Sequence, residues 1–539
     1  MKKIFYLSIM TFISVFTACK NPADDIRIII TPNVFNYTTA IKVDDAAGNA
    51  LPSNLVIEIA GPDAGAVYTP AGNKSFTVQD GYIYMGIDPH KDPTSGSPLE
   101  FNVKVSGDAI LNVNIPFTIT AGQGYQLKPI KILNINNPPS GASVNKPSFS
   151  VATLATQDVT ISTNTTTSSL VSTMNIYTGT QFLNAAGQVL SGDRFTSVLV
   201  NLDPSTQAGI ALFPGGSLTS EAIVNAAGQT ISGTFVPAAI TDIEFYVNDL
   251  EVKGFSKDVM MIQDINPSYI NPKTGAIVKV GDLLEIFSYE VTTGIFKFER
   301  TASVISHNNG KLAVTYPINH LTAYIAGYVE GACSSSSLQL NATWMTQGVS
   351  YPLNIKFMNA QNQVIQDQIL NVSSTNTLIP LPVVPTGTST LIITHSSTGA
   401  VLFNGSVTVN CGSVISATLT SVAQQPIVTM QLFVRCPGQT VTVSALPTFQ
   451  LYYRLTGSNA SFLPLGEVVK GYISTTSLDV TKRYDFRGIW ESTPKTVGDK
   501  AIVANNSTTV GDGVGENLGQ YDSVNNLDML KQACASIGQ

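Results

Sequence analysis

The chain has 539 residues, of which 12% are charged and 43% hydrophobic, with a formal net charge of −7. At roughly 100–200 residues per domain, that length accommodates three to five domains, each large enough to bury a core of its own. With only 29 Lys and Arg against 36 Asp and Glu, nothing basic stands ready to neutralise phosphates, so nucleic acid is not an expected partner. Abundant Thr, Ser, Asn, Val, Ile and Gly favour pleated, half-buried strands over helices, whose exposed faces are normally rich in Glu and Lys.

The first eighteen residues read as an export signal. Lys2 and Lys3 precede an apolar run from Ile4 to Val15, and the small residue Ala18 stands just before Cys19. That run is too short to span a bilayer. Phe16-Thr17-Ala18-Cys19 resembles the lipobox of bacterial lipoproteins, although Phe16 stands where that family usually carries an aliphatic residue. The resemblance implies a signal peptide over residues 1–18, lipidation of Cys19 and a tether over residues 19–25; the alternative is a plain secretory signal with an incidental cysteine. Lys20-Asn21-Pro22-Ala23-Asp24-Asp25 is similar to the export tag that sends some lipoproteins of the Bacteroidota to the outer face of the outer membrane, the alternative being a solvated linker.

Beyond the tether, runs such as Ile26 to Ile30, Leu55 to Ile59, Phe245 to Val247 and Leu391 to Thr394 recur between Gly, Pro, Asn and Asp. Short strands with regular turn signals point to sandwiches or barrels. One turn template repeats. Asp45-Ala46-Ala47-Gly48, Asn184-Ala185-Ala186-Gly187 and Asn225-Ala226-Ala227-Gly228 each lead through a polar residue back to an aliphatic, and Asn359-Ala360-Gln361-Asn362 is a looser copy with Asn362 in the place of Gly. An Asx side chain starts such a turn by bonding its own backbone, and Gly supplies the positive φ that closes it. The stretch from Thr156 to Thr173 has little apolar content to bury and reads as flexible. Only Asn525 to Ala535 reads as helix, with Leu527, Met529, Leu530 and Ala533 spaced for one face.

The expected units cover residues 26–136, 142–330, 333–422 and 426–539, the first break falling at Asn136-Asn137-Pro138-Pro139. Besides Cys19, the cysteines are Cys333, Cys411, Cys436 and Cys534. Four cysteines permit three connectivities. Cys333–Cys411 and Cys436–Cys534 are the expected pairs, because each brackets one domain-sized stretch.

Within the second unit, Val198-Leu199-Val200-Asn201-Leu202-Asp203-Pro204, Phe213-Pro214-Gly215-Gly216, Val280-Gly281-Asp282, Phe287-Ser288-Tyr289-Glu290 and His320-Leu321-Thr322 follow in order. Together they resemble a β-sandwich module of Bacteroidota surface proteins and, more distantly, the zona-occludens/netrin-receptor-like and cartilage-intermediate-layer-like modules. The first unit, with Tyr37 to Gly48 and Gly81 to Pro89, is similar to the carboxypeptidase-regulatory, transthyretin-like sandwich. Such modules imply structural or binding roles and carry no catalytic residues across.

Chemistry is sparse. No HExxH or CxxC spacing occurs, the four histidines are scattered, and no GxSxG is present. Asp282 with Glu285, or Asp485 with Glu491, are acid pairs of the kind glycoside hydrolysis uses, but sandwich turns abound in such acids. Asp44, Asp45 and Asn49 cluster in one turn without the spaced ligands of an EF-hand loop. Aromatics mix with charges from Lys482 to Trp490, where Tyr484, Phe486 and Trp490 are candidate ligand-binding residues on an exposed edge, against the plainer reading of an amphipathic edge strand. His320 reads as a structural hydrogen-bonder at a strand end.

The sequence therefore reads as an all-β chain of several tandem Ig-like or transthyretin-like sandwiches with a short C-terminal helix. It is expected to be non-enzymatic, to need no cofactor, and to sit lipid-anchored at the outer membrane, facing the cell surface or the periplasm. Its expected role is a scaffold for adhesion or for binding a protein or glycan partner. The alternatives are a polysaccharide-binding accessory of an outer-membrane uptake system and a hydrolase with unrecognised carboxylates.

Overall fold

A computed structural model describes residues 27–30, 35–69, 72–94, 96–122, 125–291, 293–359, 362–381, 383–421, 427–431, 434–435, 442–445, 449–469, 472–490, 493–502 and 508–509. Within them the chain is all-β, and the only α-helices are the short turns Val151–Thr156 and Gln207–Ile210. Cys19, Cys436, Cys534 and the expected C-terminal helix lie outside the described residues.

The first and third units were expected to be separate sandwiches, yet they share one eight-stranded sheet. Gln126–Ile132 of the first unit lies parallel to Thr38–Asp45 on one side and meets Val364–Val372 of the third on the other, where Leu127 faces Ile369 and Gln126 faces Leu370. Strand alternation assigns the two faces of this sheet different work. One face carries Ile41, Val43, Ile83, Met85 and Ile132 into the core of the first unit, and Leu353, Ile355, Leu370 and Ile393 into that of the third. The opposite face carries Ala40, Tyr82, Tyr84, Leu127 and Ile369, which close around Tyr452 and Phe462 of the fourth unit.

This second face is a welded joint. The Tyr125 and Tyr452 hydroxyls are 2.6 Å apart, the Tyr82 hydroxyl donates to the Phe462 carbonyl at 2.5 Å, and the Tyr82 and Tyr452 rings are 5.0 Å apart between centroids. Arg487 reaches Asp80 at 2.5 Å and, with Arg454, lies over the Phe462 ring. Each buried aromatic removes about 150–250 Å² from water, and each ring pair adds about 0.5–1.5 kcal/mol beyond that. The strand Tyr82–Ile87 is accordingly buried at all six positions, the pattern of a sheet covered on both faces.

The fourth unit repeats this logic. In Phe449–Leu455, Leu451 and Tyr453 enter that unit's own core while Tyr452 points into the joint. The N-terminal strand Arg27–Ile30, expected to open the first sandwich, instead runs parallel to Thr442–Ala445 of the fourth. First and last units therefore close on each other, and a string of separate bodies does not describe the chain.

The second unit is built on Thr230–Val247, which pairs with Arg194–Leu202 and with Ala323–Cys333. Ile295–His307 pairs first with Leu283–Glu290 and then with Lys311–His320, joining two sheets around Phe182, Phe195, Phe245 and Tyr316. The Ser/Thr-rich stretch expected to be flexible is ordered. Val159–Ser162 pairs with Ser172–Ile176 through a hydroxyl contact between Ser162 and Thr173 at 2.9 Å, while Asn164 donates to the Val144 carbonyl at 2.7 Å. Val159, Ile161 and Leu170 are buried, the first two in the second unit's core, and the hydroxyl and amide bonds add to that burial.

Three Asx turns form as the template requires, and in the looser copy the Asn359 side chain accepts from the Gln363 N–H at 2.9 Å. The Asn184 and Asn225 side chains each accept from two backbone N–H groups at 2.9 and 3.0 Å, and Asp45 does the same. Gly48, Gly187 and Gly228 hold positive φ, and Asn362 holds φ 59° in the fourth copy. At that fourth turn Asn359 and Gln363 are buried while Asn362 is exposed, and Gln363 donates to the Pro204 carbonyl of the second unit at 2.6 Å. Cys333 and Cys411 form a disulfide across 78 residues, at the junction of the second and third units.

Glu467 in the fourth unit faces the joint beside Tyr125, and burial pushes its carboxyl up to about 7. A carboxyl whose pKa is raised by folding favours the folded form while protonated, and that contribution is lost as pH rises from about 4.5 through about 7. The unfolding free energy is expected to fall across that window by an amount on the order of 2 kcal/mol. Glu467→Gln should flatten the dependence in denaturant titrations at a series of pH values; an unchanged slope would show that this carboxyl is not buried as described.

Candidate functional site: a cleft where three units meet

After Gln126 and Leu127, the shared sheet splays. Gln126–Ile132 and Val364–Val372 part, and residues Gln207 to Ala222 of the second unit close over the gap, leaving a cavity of about 490 Å³. That size lies within the range of small-molecule sites.

The edge strand Val113–Ile119 of the first unit forms one wall, and its outward backbone groups are capped by side chains. Lys128 donates to the Pro116 carbonyl, Gln126 to the Thr118 carbonyl at 3.4 Å, and the Asn114 N–H bonds the Pro214 carbonyl of the second unit at 2.7 Å. On the opposite wall Gln207 accepts from the Val364 N–H and Ser217 donates to the Ile365 carbonyl, both at 3.1 Å. With Pro116 removing one donor, these caps deny a free edge to further strands.

Charge is costly in this cleft. Burial lowers the Lys128 ammonium to about 8, and its Nζ lies 4.4 Å from the Phe117 ring centroid. Burial, reinforced by the negative charge of Glu100, raises the Glu221 carboxyl. Two amide groups on the third-unit wall, Gln366 Oε1 and Gln368 Nε2, are buried without a hydrogen-bond partner. The cleft thus offers an apolar, aromatic floor with a few convergent polar groups, an arrangement that holds and orients a ligand.

The residues expected to form a recognition edge are elsewhere. Tyr484 and Phe486 are 4% and 0% exposed, packed into the fourth unit's core against Tyr453 and Leu465, so the expectation that they bind ligand is corrected. The charges that suggested an exposed edge face the other side of the same sheet, where Arg487 serves the tyrosine joint. Trp490 ends the strand Arg483–Trp490 opposite Thr493, and its side chain is outside the described residues. Tyr452 and Tyr453 face opposite sides of their strand, and both sides are buried.

Of the acid candidates, Glu491 lies outside the described residues and Asp282 accepts from the Lys279 N–H at 3.0 Å. Glu285 lies 2.5 Å from Lys273, and Asp485 lies 3.1 Å from Arg454 while accepting from Thr456. Asp45 is spent on its own turn, and Asp44 pairs with Lys42 at 2.8 Å. Among the described residues no group of three His, Cys, Asp or Glu side chains is placed to hold a metal. His320 stands at a strand end with Nδ1 3.0 Å from Asn319, and its carbonyl accepts from the Tyr324 hydroxyl. Sequence reasoning did not find the cleft. The available signal was the polar pair Gln126 and Lys128 on a strand face that continues as Ile130 and Ile132.

Competitive amine labelling across a pH series should report Lys128 titrating near 8, well below the ordinary lysine value of 10.5. Lys128→Met keeps the apolar stem but uncaps the Pro116 carbonyl, with an expected loss of about 1 kcal/mol in stability. A labelling midpoint at the ordinary value would mean that the cleft is not closed as described.

No protein-family model matches the chain, and no curated protein does. Among solved structures, a Streptococcal ancillary pilin aligns at 9% identity over 43% of this chain and 92% of its own, with a TM-score of 0.14. The Bacillus anthracis TIE protein aligns at 8% identity over 86% of this chain and 74% of its own, with a TM-score of 0.13. At such scores neither likeness carries an argument about this chain.

Proposed function

We propose that this chain is a non-enzymatic lipoprotein, anchored at the outer membrane through Cys19, that acts at the cell surface as a scaffold for adhesion or partner binding. The observation that carries the reading is the weld between units. A shared sheet, a tyrosine joint and a turn plugged into the second unit hold the folded parts in fixed relation, which suits presentation of a surface better than movement of substrates through a catalytic cycle. The cleft fits a structural and binding role, because the polar groups on its walls mostly cap backbone.

A second reading, a polysaccharide-binding accessory of an uptake system, draws on the cleft itself. Its volume suits a small polar ligand, and amide side chains with unmet donors and acceptors suit hydroxyl groups. Glycan-array binding by the purified ectodomain, lost on filling the cleft with Ser217→Trp, would favour this second reading over the first.

Cys19→Ser should release the chain from membranes into the soluble fraction, and protease added to intact cells should cut the wild-type chain. Unchanged fractionation of the variant would defeat the anchoring. Protection of the wild type on intact cells, with cleavage after permeabilisation, would turn the protein inward to the periplasm.

A further inference from the structure

One cation in the cleft is left without a counter-charge. Asp44 is spent on Lys42 at 2.8 Å and Asp367 on Lys356 at 3.1 Å, while the charge that acts on Glu221 is the like charge of Glu100. Lys128 forms no ion pair among the described residues, and burial alone lowers its ammonium, with no acid near enough to raise it. Its side chain is nevertheless half-buried rather than sealed, as that of an amine lining a hollow is. An ammonium has three donors, and the Pro116 carbonyl takes one of them.

The strand pairing sets amide groups on the same wall. Leu127 and Ile369 are the pair at which the first and third units part, and both turn to the tyrosine face. Alternation sends the next residues, Lys128 and Gln368, to the other face, where both line the cleft together with Gln366. Gln368 is 2% exposed and its Nε2 has no partner; Gln366 Oε1, two positions along the same strand face, has none either. Leaving a buried amide unpaired is costly, so two unmet groups beside an unmet ammonium mark where a ligand's polar atoms would sit.

The three groups differ in what they ask for. The Lys128 ammonium and the Gln368 amide donate, which suits a carboxylate, whereas the Gln366 carbonyl accepts, which suits a hydroxyl. We propose that the cleft binds a small acidic sugar, a uronate, whose carboxylate lies between Lys128 and Gln368 and whose hydroxyl donates to Gln366. This rests on the second reading above, that the cleft takes a sugar, and names the class. At about 490 Å³ the cavity has room for such a ring.

Calorimetric titration of the full-length chain in detergent with galacturonate, glucuronate, galactose and propionate tests this. At pH 7 at least one uronate is expected to bind tenfold or more tightly than galactose or propionate. With Lys128 titrating at about 8, its charged fraction falls roughly tenfold between pH 7 and pH 9, and uronate affinity should fall with it. Lys128→Arg, which stays charged, should bind uronate equally at both pH values, and Lys128→Met should bind it no better than galactose. Should Lys128→Met fail to fold, the wild-type comparison between pH 7 and pH 9 decides. Absence of uronate binding, uronate affinity undiminished at pH 9, or galactose or propionate binding as tightly as the uronates would overturn the inference. A glycan array that still bound neutral sugars would then leave the sugar reading standing, and a blank array would remove both.

Discussion

Tyr452 of the last unit shares one buried pocket with Tyr82, Tyr84 and Tyr125 of the first, and its hydroxyl bonds that of Tyr125 across 327 positions of sequence. Burial drives all four phenol groups upward in pKa, so each stays protonated and able to donate. A cluster of this kind forms only when both units are folded and seated. It therefore couples their stabilities and turns a series of modules into a single cooperative body. The cost is kinetic, since contacts so distant in sequence close late.

That joint explains why the shared sheet tolerates burial on both faces. An antiparallel sandwich ordinarily keeps one face in water. Here the fourth unit covers the outer face around Ala40, Tyr82, Tyr84, Leu127 and Ile369, while Val401–Val409 at the far edge keeps an exposed face, and Arg487 is drawn in to pair with Asp80 and to lie over Phe462. The cleft is a consequence of the same economy of sheets. Where the first and third units stop pairing, the second unit covers the opening, and side chains of the first and second cap the strand edges left behind.

What could be read in the sequence was local. The Asx turns were legible in full, because an Asn or Asp side chain, two backbone N–H groups and one positive φ specify them without reference to the rest of the chain. Strand runs such as Leu391 to Thr394 and the Cys333–Cys411 bracket were legible for similar reasons. The alternation in Tyr82-Ile83-Tyr84-Met85 told of a strand, but not that a unit from the far end of the chain would cover the tyrosine side. The same blindness misplaced Tyr484 and Phe486. Charges alternating with aromatics suggested an exposed edge, whereas the aromatics fill one core and Arg487 serves another. The Ser/Thr hairpin reads as flexible because its apolar residues are few, yet Val159, Ile161 and Leu170 are all buried and hydroxyl bonds hold the rest. The cleft draws its walls from three units, so only the polar interruption at Gln126 and Lys128 hinted at it.

The central claim is that the fourth unit covers and stabilises the sheet of the first through Tyr452. Hydrogen–deuterium exchange of the wild type and Tyr452→Ala tests it directly. Loss of that ring is expected to raise exchange across the strand Tyr82–Ile87 and around Tyr125 to Leu127, in a unit whose own residues are unchanged. Faster exchange confined to the fourth unit, with Tyr82–Ile87 as protected as before, would contradict the account.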